Sequence, residues 1–254
     1  MPGNPLILRL SRLMPLSARE VGVLVALCAR EERFRAGSDI AIKGRAPRPG
    51  FVVTHGMAWR YRLLSGGRRQ ILTVLIPGDF FDLYGFLLEA MDHSVAAVGP
   101  TRIAVIERET VTRIVAAHPR LAAALWWSAL QEQAMLRERI VALGRRDASG
   151  RLAYFLCEIV WRMQAIGLCE DNRVRLPFTQ TDLADALGLT PVHVNRVLQR
   201  FRRDGLITLD HRRLVLRDLE RLQAIAELTP DYLHLGRAPP EALRRANQER
   251  KPGR

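Results

Sequence analysis

The chain has 254 residues, 48% of them hydrophobic, with a net charge of +13 and a pI near 11.0. That apolar content suffices for one or two packed cores and excludes a disordered chain, while the lack of any run of about 18 apolar residues excludes a membrane-spanning helix. The positive excess favours a polyanionic partner, but it is almost all arginine, with lysine only at Lys43 and Lys251, so charge alone identifies no site.

In chain order, Met1 to Ser17 is interrupted by Pro2, Pro5 and Pro15 and lacks the apolar centre of a signal peptide, which points to a cytoplasmic protein. Ser17 to Arg30, SAREVGVLVALCAR, predicts a short helix. From Phe34 to Ile106 the texture changes to β-rich segments punctuated by glycine, with alternation over Met57 to Leu63 and Ile71 to Ile76, as in a β-roll or barrel. Ser65-Gly66-Gly67 and Pro77-Gly78-Asp79 read as turns. Cys28, Cys157 and Cys169 are odd in number and widely separated, fitting neither a disulfide framework nor metal spacing.

Pro119 to Gly144 predicts one long helix. Ala122, Trp126, Ala129, Gln133, Leu136, Ile140 and Leu143 step by four and three, a coiled-coil seam expected to join a parallel homodimer with Gln133 setting the register. Leu125, Trp127, Leu130 and Val141 are expected to face the chain's own β-roll. Asp147 to Gly150 breaks the helix, making Arg145 to Gly150 a hinge before a helix over Arg151 to Ile166 whose Phe155, Cys157 and Trp161 look like core.

The segment after Phe178, TQTDLADALGLTPVHVNRVLQRFRRDG, carries the most information. Thr179 and Asp182 form a capping pattern, Gly188 suits a helix C-terminus, and Thr190-Pro191 can start a second helix. There Val194, Val197, Leu198 and Phe201 make one buried stripe, so Val192, His193, Asn195, Arg196, Gln199 and Arg200 project outward. Arg196 suits guanine O6/N7, Asn195 suits adenine N6/N7, His193 can donate to a base or phosphate, and Val192 can meet a thymine methyl. Leu206 to Leu209 and Arg213 to Leu216, around Asp210-His211-Arg212, predict a hairpin wing, followed by a helix over Asp218 to Leu228. The expected DNA contacts are Thr179, Gln180, Thr190, Val192, His193, Asn195, Arg196, Arg200 and Arg212. The basic, proline-containing stretch Arg237 to Arg254 reads as a flexible tail.

With these residues in place, the chain resembles the Crp/Fnr family of bacterial transcription regulators. The resemblance implies an α+β chain: a β-roll effector domain over 1–118, a dimerisation helix over 119–146, a winged helix-turn-helix over 147–228 and a basic tail over 229–254. It further implies a palindromic double-stranded DNA site, a homodimer, contact with RNA polymerase, and a small-molecule effector. Members often carry Glu at the position of Val192, ahead of an Arg that matches Arg196; keeping the Arg without the Glu implies a different operator. Fnr-type members hold an iron–sulfur cluster on an N-terminal group of cysteines, whereas Cys28 stands alone.

In nucleotide-binding members a cassette carries Gly-Glu for the ribose and Arg-Ser for the phosphate. Here the matching run from Gly78 to Val98 has Asp82-Leu83 and His93-Ser94, so the ribose acceptor and the forked cation are replaced. Leu136 and Arg137 stand where cAMP-responsive members offer hydroxyls. The expected effector pocket is Asp82, Leu83, Tyr84, His93, Ser94, Leu136 and Arg137, with an effector other than cAMP; the alternatives are a constitutive DNA binder with a degenerate pocket, or a cyclic-nucleotide-responsive regulator. No cofactor is identified. His93 has two readings, a histidine tying down its loop with Asp92, or a group that binds an acidic ligand, senses pH or coordinates haem iron; Tyr84 and His55 share that ambiguity. An enzyme built on His93 and Asp92 is not supported, since no Gly-x-Ser-x-Gly elbow, zinc-ligand pair or phosphate loop is present.

Overall fold

The computed structural model describes residues 3–46, 50–83 and 87–235. Tyr84 and the Arg237 to Arg254 tail lie outside the described residues.

Two helices lead the chain, α1 (Pro5–Leu13) and α2 (Ala18–Leu27). The first was not expected from a proline-rich start, but Asn4 caps it through the Leu6 N–H and Pro5 sits in its first turn, where a missing donor costs nothing. Eight strands follow: β1 (Glu31–Phe34), β2 (Asp39–Ala41), β3 (Gly50–His55), β4 (Ala58–Leu63), β5 (Arg69–Leu75), β6 (Phe80–Phe81), β7 (Ser94–Ala97) and β8 (Thr101–Ile106). They pair antiparallel in two sheets ordered β1-β8-β3-β6 and β2-β7-β4-β5. Phe51, Val53, Leu75, Phe81, Val95 and Ile103 fill the space between the sheets.

Beyond the roll come α3 (Arg108–Ala117), the 27-residue α4 (Pro119–Arg145) and α5 (Ala148–Ala165). The break between α4 and α5 is shorter than expected. Asp147 caps α5 through the Gly150 N–H at 2.7 Å, so Ser149 and Gly150 are helical and only Arg146-Asp147 leave the helical path. The C-terminal unit contains β9 (Arg173–Arg175), α6 (Gln180–Leu187), α7 (Pro191–Arg203), β10 (Ile207–Asp210), β11 (Arg213–Leu216) and α8 (Leu219–Ala226). β9 was not foreseen; it extends the wing hairpin to a sheet ordered β10-β11-β9.

The boundary between the roll and the C-terminal unit is a packed surface. One apolar cluster joins Met57, Trp59, Ile71, Val74 and Ile76 of the roll to the residues of α5 to α8, and Trp59 lies 4.4 Å from Phe178, ring centre to ring centre. Arg69 of β5 adds bonds to Asp185 (2.8 Å) and Asp182 (2.6 Å) of α6.

A buried ionic network runs through the centre. The Asp79 carboxylate accepts the Ile76 N–H at 2.8 Å and pairs with Arg9 of α1 and Arg162 of α5. Arg162 also donates to the Val74 carbonyl at 3.1 Å and lies 3.5 Å from Glu158, which accepts from Tyr154 (2.6 Å) and Tyr232 (3.1 Å). Gly78 allows the turn that presents Asp79: its φ of +85° belongs to glycine, and a Cβ there would lie 2.7 Å from the Pro5 carbonyl oxygen.

Removing one charge from this network strands the others. Asp79→Asn is expected to cost about 3–5 kcal/mol in urea unfolding, against under about 0.5 kcal/mol for Asn at exposed Asp171. Equal stability of the two variants would show that Arg9 and Arg162 do not depend on Asp79.

Candidate nucleic-acid interface and effector pocket

The two helices of the reading unit are set by local bonds. Thr179 Oγ1 accepts the Asp182 N–H at 3.1 Å, Asp182 returns a bond to the Thr179 N–H at 2.9 Å, and Gly188, at φ +62°, ends α6 in the left-handed region. Thr190 Oγ1 accepts the His193 N–H at 3.2 Å, and Pro191 occupies the first turn of α7. Val194, Val197, Leu198 and Phe201 are buried, leaving Val192, His193, Asn195, Arg196, Gln199 and Arg200 exposed on one face. Gln180 is exposed beside them. The Thr179 hydroxyl serves the expected cap, its proton donated to Asp182 at 2.7 Å, on a residue that is itself exposed. His211 and Arg212 form the wing turn, both at positive φ, and both are exposed.

In the cassette, the hydrogen bonds fit the reading of His93 as a histidine that ties down its loop with Asp92. His93 and Ser94 are held by their own chain: His93 Nδ1 bonds Asp92 at 2.5 Å, His93 Nε2 accepts from Arg60 Nε at 3.1 Å, and Ser94 Oγ accepts the Lys43 N–H at 3.0 Å. The bond from His93 holds the Asp92 carboxyl below its ordinary range. Arg60 of β4 is the residue that the sequence reading missed. Its guanidinium reaches Asp82 Oδ1 at 3.5 Å and pairs with Glu132 of α4, so a cation from a different strand stands beside His93 and is already neutralised. Burial lowers its pKa, against the opposing pull of Asp82 and Asp92. The available signal was an arginine inside the Ala58-Trp59-Arg60-Tyr61 run.

Beside this cluster lies a cavity of about 390 Å³ between the segment Phe80 to Leu83, Leu87 and Leu88 on one side and Leu125, Ser128, Ala129 and Glu132 of α4 on the other. Of the expected pocket residues that are described, Asp82 and Leu83 line it and His93, Ser94, Leu136 and Arg137 do not. Leu136 and Arg137 are a turn further along α4 and exposed, because a helix carries them past the roll's edge. His55 is exposed at the end of β3.

The α4 seam is also corrected in part. Ala122 is buried against the chain's own apolar residues, and Leu143 lies beside the Gly188 turn, while Leu130 and Val141, expected to face the roll, are exposed. The solvent-facing stripe is therefore Trp126 (57% exposed), Leu130 (59%), Gln133, Leu136, Arg137, Ile140 (70%) and Val141. These positions share one helix face at steps of three and four. Cys28, Cys157 and Cys169 are unbridged, and burial pushes the Cys157 thiol up to about 12, making it inert. Among the described residues no helix is long and apolar enough to cross a membrane.

Comparison with known proteins gives two matches along the chain: residues 31–118 match the cyclic nucleotide-binding domain and residues 150–225 match the Crp-like helix-turn-helix domain. The chain is 30% identical over 198 residues to the nitrogen fixation regulation protein FixK of Bradyrhizobium diazoefficiens, covering 78% of this chain and 82% of that one. It is 32% identical over 195 residues to the transcriptional activator protein FnrL of Cereibacter sphaeroides, covering 74% and 77%. The solved structure of FixK2 from Bradyrhizobium japonicum superposes with a TM-score of 0.71 at 27% identity, covering 79% of this chain and 98% of that one.

Proposed function

This chain belongs to the Crp/Fnr family of transcription regulators and carries its DNA-binding helix-turn-helix, and from that premise we propose that it acts as a cytoplasmic homodimer on a palindromic operator, under an effector other than a cyclic nucleotide. The observation that carries the DNA reading is the exposed face of α7, polar and basic directly after the Thr190-Pro191 start and backed by a continuous buried stripe. The first turns of such a helix meet base edges in the major groove. Arg196 and Asn195 are the base readers; Arg200 and, on the wing, Arg212 contact phosphate, with Gln180, Thr190, Val192 and His193 completing the surface. The divisions 1–118, 119–146, 147–228 and 229–254 act as sensor, dimer helix, reader and tail, with the hinge at Arg146-Asp147.

The dimer runs along the Trp126, Leu130, Gln133, Ile140 and Val141 face of α4. Exposed Leu and Ile of this size on one stripe are supported best by a second copy of the same helix, which sets two recognition helices at half-site spacing and presents the bound complex to RNA polymerase. An effector that shifts α4 against the roll changes that spacing.

Arg196→Ala is expected to cost about 1–3 kcal/mol on the selected operator and to relax one base position, while Arg200→Ala and Arg212→Ala weaken all duplexes alike and lower the salt slope. Binding-site selection on the Arg196 variant that returns the unchanged sequence would refute this register. Sedimentation of the double variant Leu130→Asp, Ile140→Asp is expected to show monomers with weakened operator binding; a persistent dimer would move the interface elsewhere. In calorimetry, cAMP and cGMP are expected to give no saturable binding at micromolar concentrations, because their phosphate would have to displace carboxylates from Arg60. Saturable heats accompanied by tighter operator binding would overturn that exclusion.

A further inference from the structure

We propose that the cavity between β6 and α4 binds an apolar small molecule carrying a protonated amine, with the ammonium held between Asp82 and Glu132. The inference rests on the reading of the roll as a sensor and names the chemistry of what it senses.

The cavity walls are hydrocarbon from Phe80, Phe81 and Leu125, and Leu87 flanks it with 73% of its surface exposed. Such walls favour an apolar body. Its polar groups are acidic. Asp82 is buried, with only 6% of its side chain exposed; Oδ1 faces Arg60 and His93, but Oδ2 is sealed from solvent with no hydrogen-bond partner. A buried carboxylate oxygen without a donor is costly, so the site calls for an N–H or O–H from outside the chain. Glu132 enters the same cavity from α4, where Ser128, one turn earlier, adds a hydroxyl.

Charge decides which donor. Asp82, Glu132 and Asp92 gather around one permanent cation, Arg60, whose guanidinium is already engaged by Asp82, Glu132 and the His93 ring. Among the described residues that line the cavity, an incoming carboxylate or phosphate would meet two carboxylates and no free cation. An ammonium instead meets two carboxylates, one of which must turn its unpaired oxygen toward the cavity to receive it, and charge-assisted bonds of this kind are the strong ones. Occupancy would be felt on α4 directly, through Glu132, and on β4 through Arg60.

Calorimetry on the full chain with two matched pairs of probes tests this: tryptamine against indole-3-acetate, and 2-phenylethylamine against phenylacetate. Each amine is expected to bind at one site per chain, at least about tenfold tighter than its matched acid, with a loss of about tenfold or more in Asp82→Asn. Ala129→Phe fills the cavity from α4 without touching the ionic cluster and is expected to abolish amine binding. If Asp82→Asn does not fold, the Ala129→Phe result decides. Acids that bind as tightly as amines, amine binding that survives Ala129→Phe, or no amine binding at all would each overturn the proposal. Operator binding by the unmodified chain is measured in parallel: its absence sinks the regulator reading, whereas its presence with failed amine binding sinks only the ligand assignment.

Discussion

The arrangement of this molecule depends on one buried carboxylate. Asp79 stands at the turn before β6, and the two arginines that neutralise it arrive from either side of it in the chain, Arg9 from the first helix and Arg162 from the helix that begins the DNA-binding unit. A charge in that environment is tolerable only if all three are present. The turn therefore fixes the N-terminal helix, the roll and α5 against one another, and Glu158 extends the same network to Tyr154 and Tyr232, whose hydroxyls are kept protonated by burial and by the adjacent carboxylate.

With α5 anchored to the roll, the long α4 is the element that borders the cavity on one side and carries an exposed apolar stripe on another. Its three faces have different duties. Leu121, Ala124 and Leu125 pack into the chain's own core, Ser128 and Glu132 face the cavity, and Trp126, Leu130 and Ile140 face outward. A rigid helix carries a displacement on any one face to the other two, and the short Arg146-Asp147 break passes it to a reading unit that is itself held by Arg69 and by the Trp59–Phe178 contact. The ionic cluster around Arg60 adds a link from the His93 segment to α4 through Glu132.

Where local chemistry governed, the chain was legible. The caps at Thr179 and Thr190, the glycine at 188 and the stripe from Val194 to Phe201 act within a few residues of each other, so their pattern survives into the structure almost unchanged. The same holds for the wing, where His211 and Arg212 turn between two short alternating runs. Of the seam on α4, Trp126, Gln133, Leu136 and Ile140 are exposed, whereas Ala122 is buried and Leu143 meets the Gly188 turn. A 27-residue helix surrounded by apolar residues offers more than one stripe, and only the packing of Ala122 against the core and of Leu143 against the Gly188 turn shows which one is left for solvent.

By itself, then, the sequence determined the class of the protein: a β-roll, a long helix and a winged helix-turn-helix, with the recognition face written in residues spaced at three and four. It also placed Asp82-Leu83 and His93-Ser94 where the family resemblance implies a Gly-Glu and an Arg-Ser pair. Only the tertiary structure decided what replaced them. Arg60 and Glu132 lie 22 and 50 positions from Asp82 and come from a strand and a helix, and Asp79 takes its partners from positions 9 and 162. Periodicity and capping report what a residue does within its own element, whereas charge neutralisation in a low-dielectric interior depends on which elements are brought together. That information appears only when the chain is closed on itself.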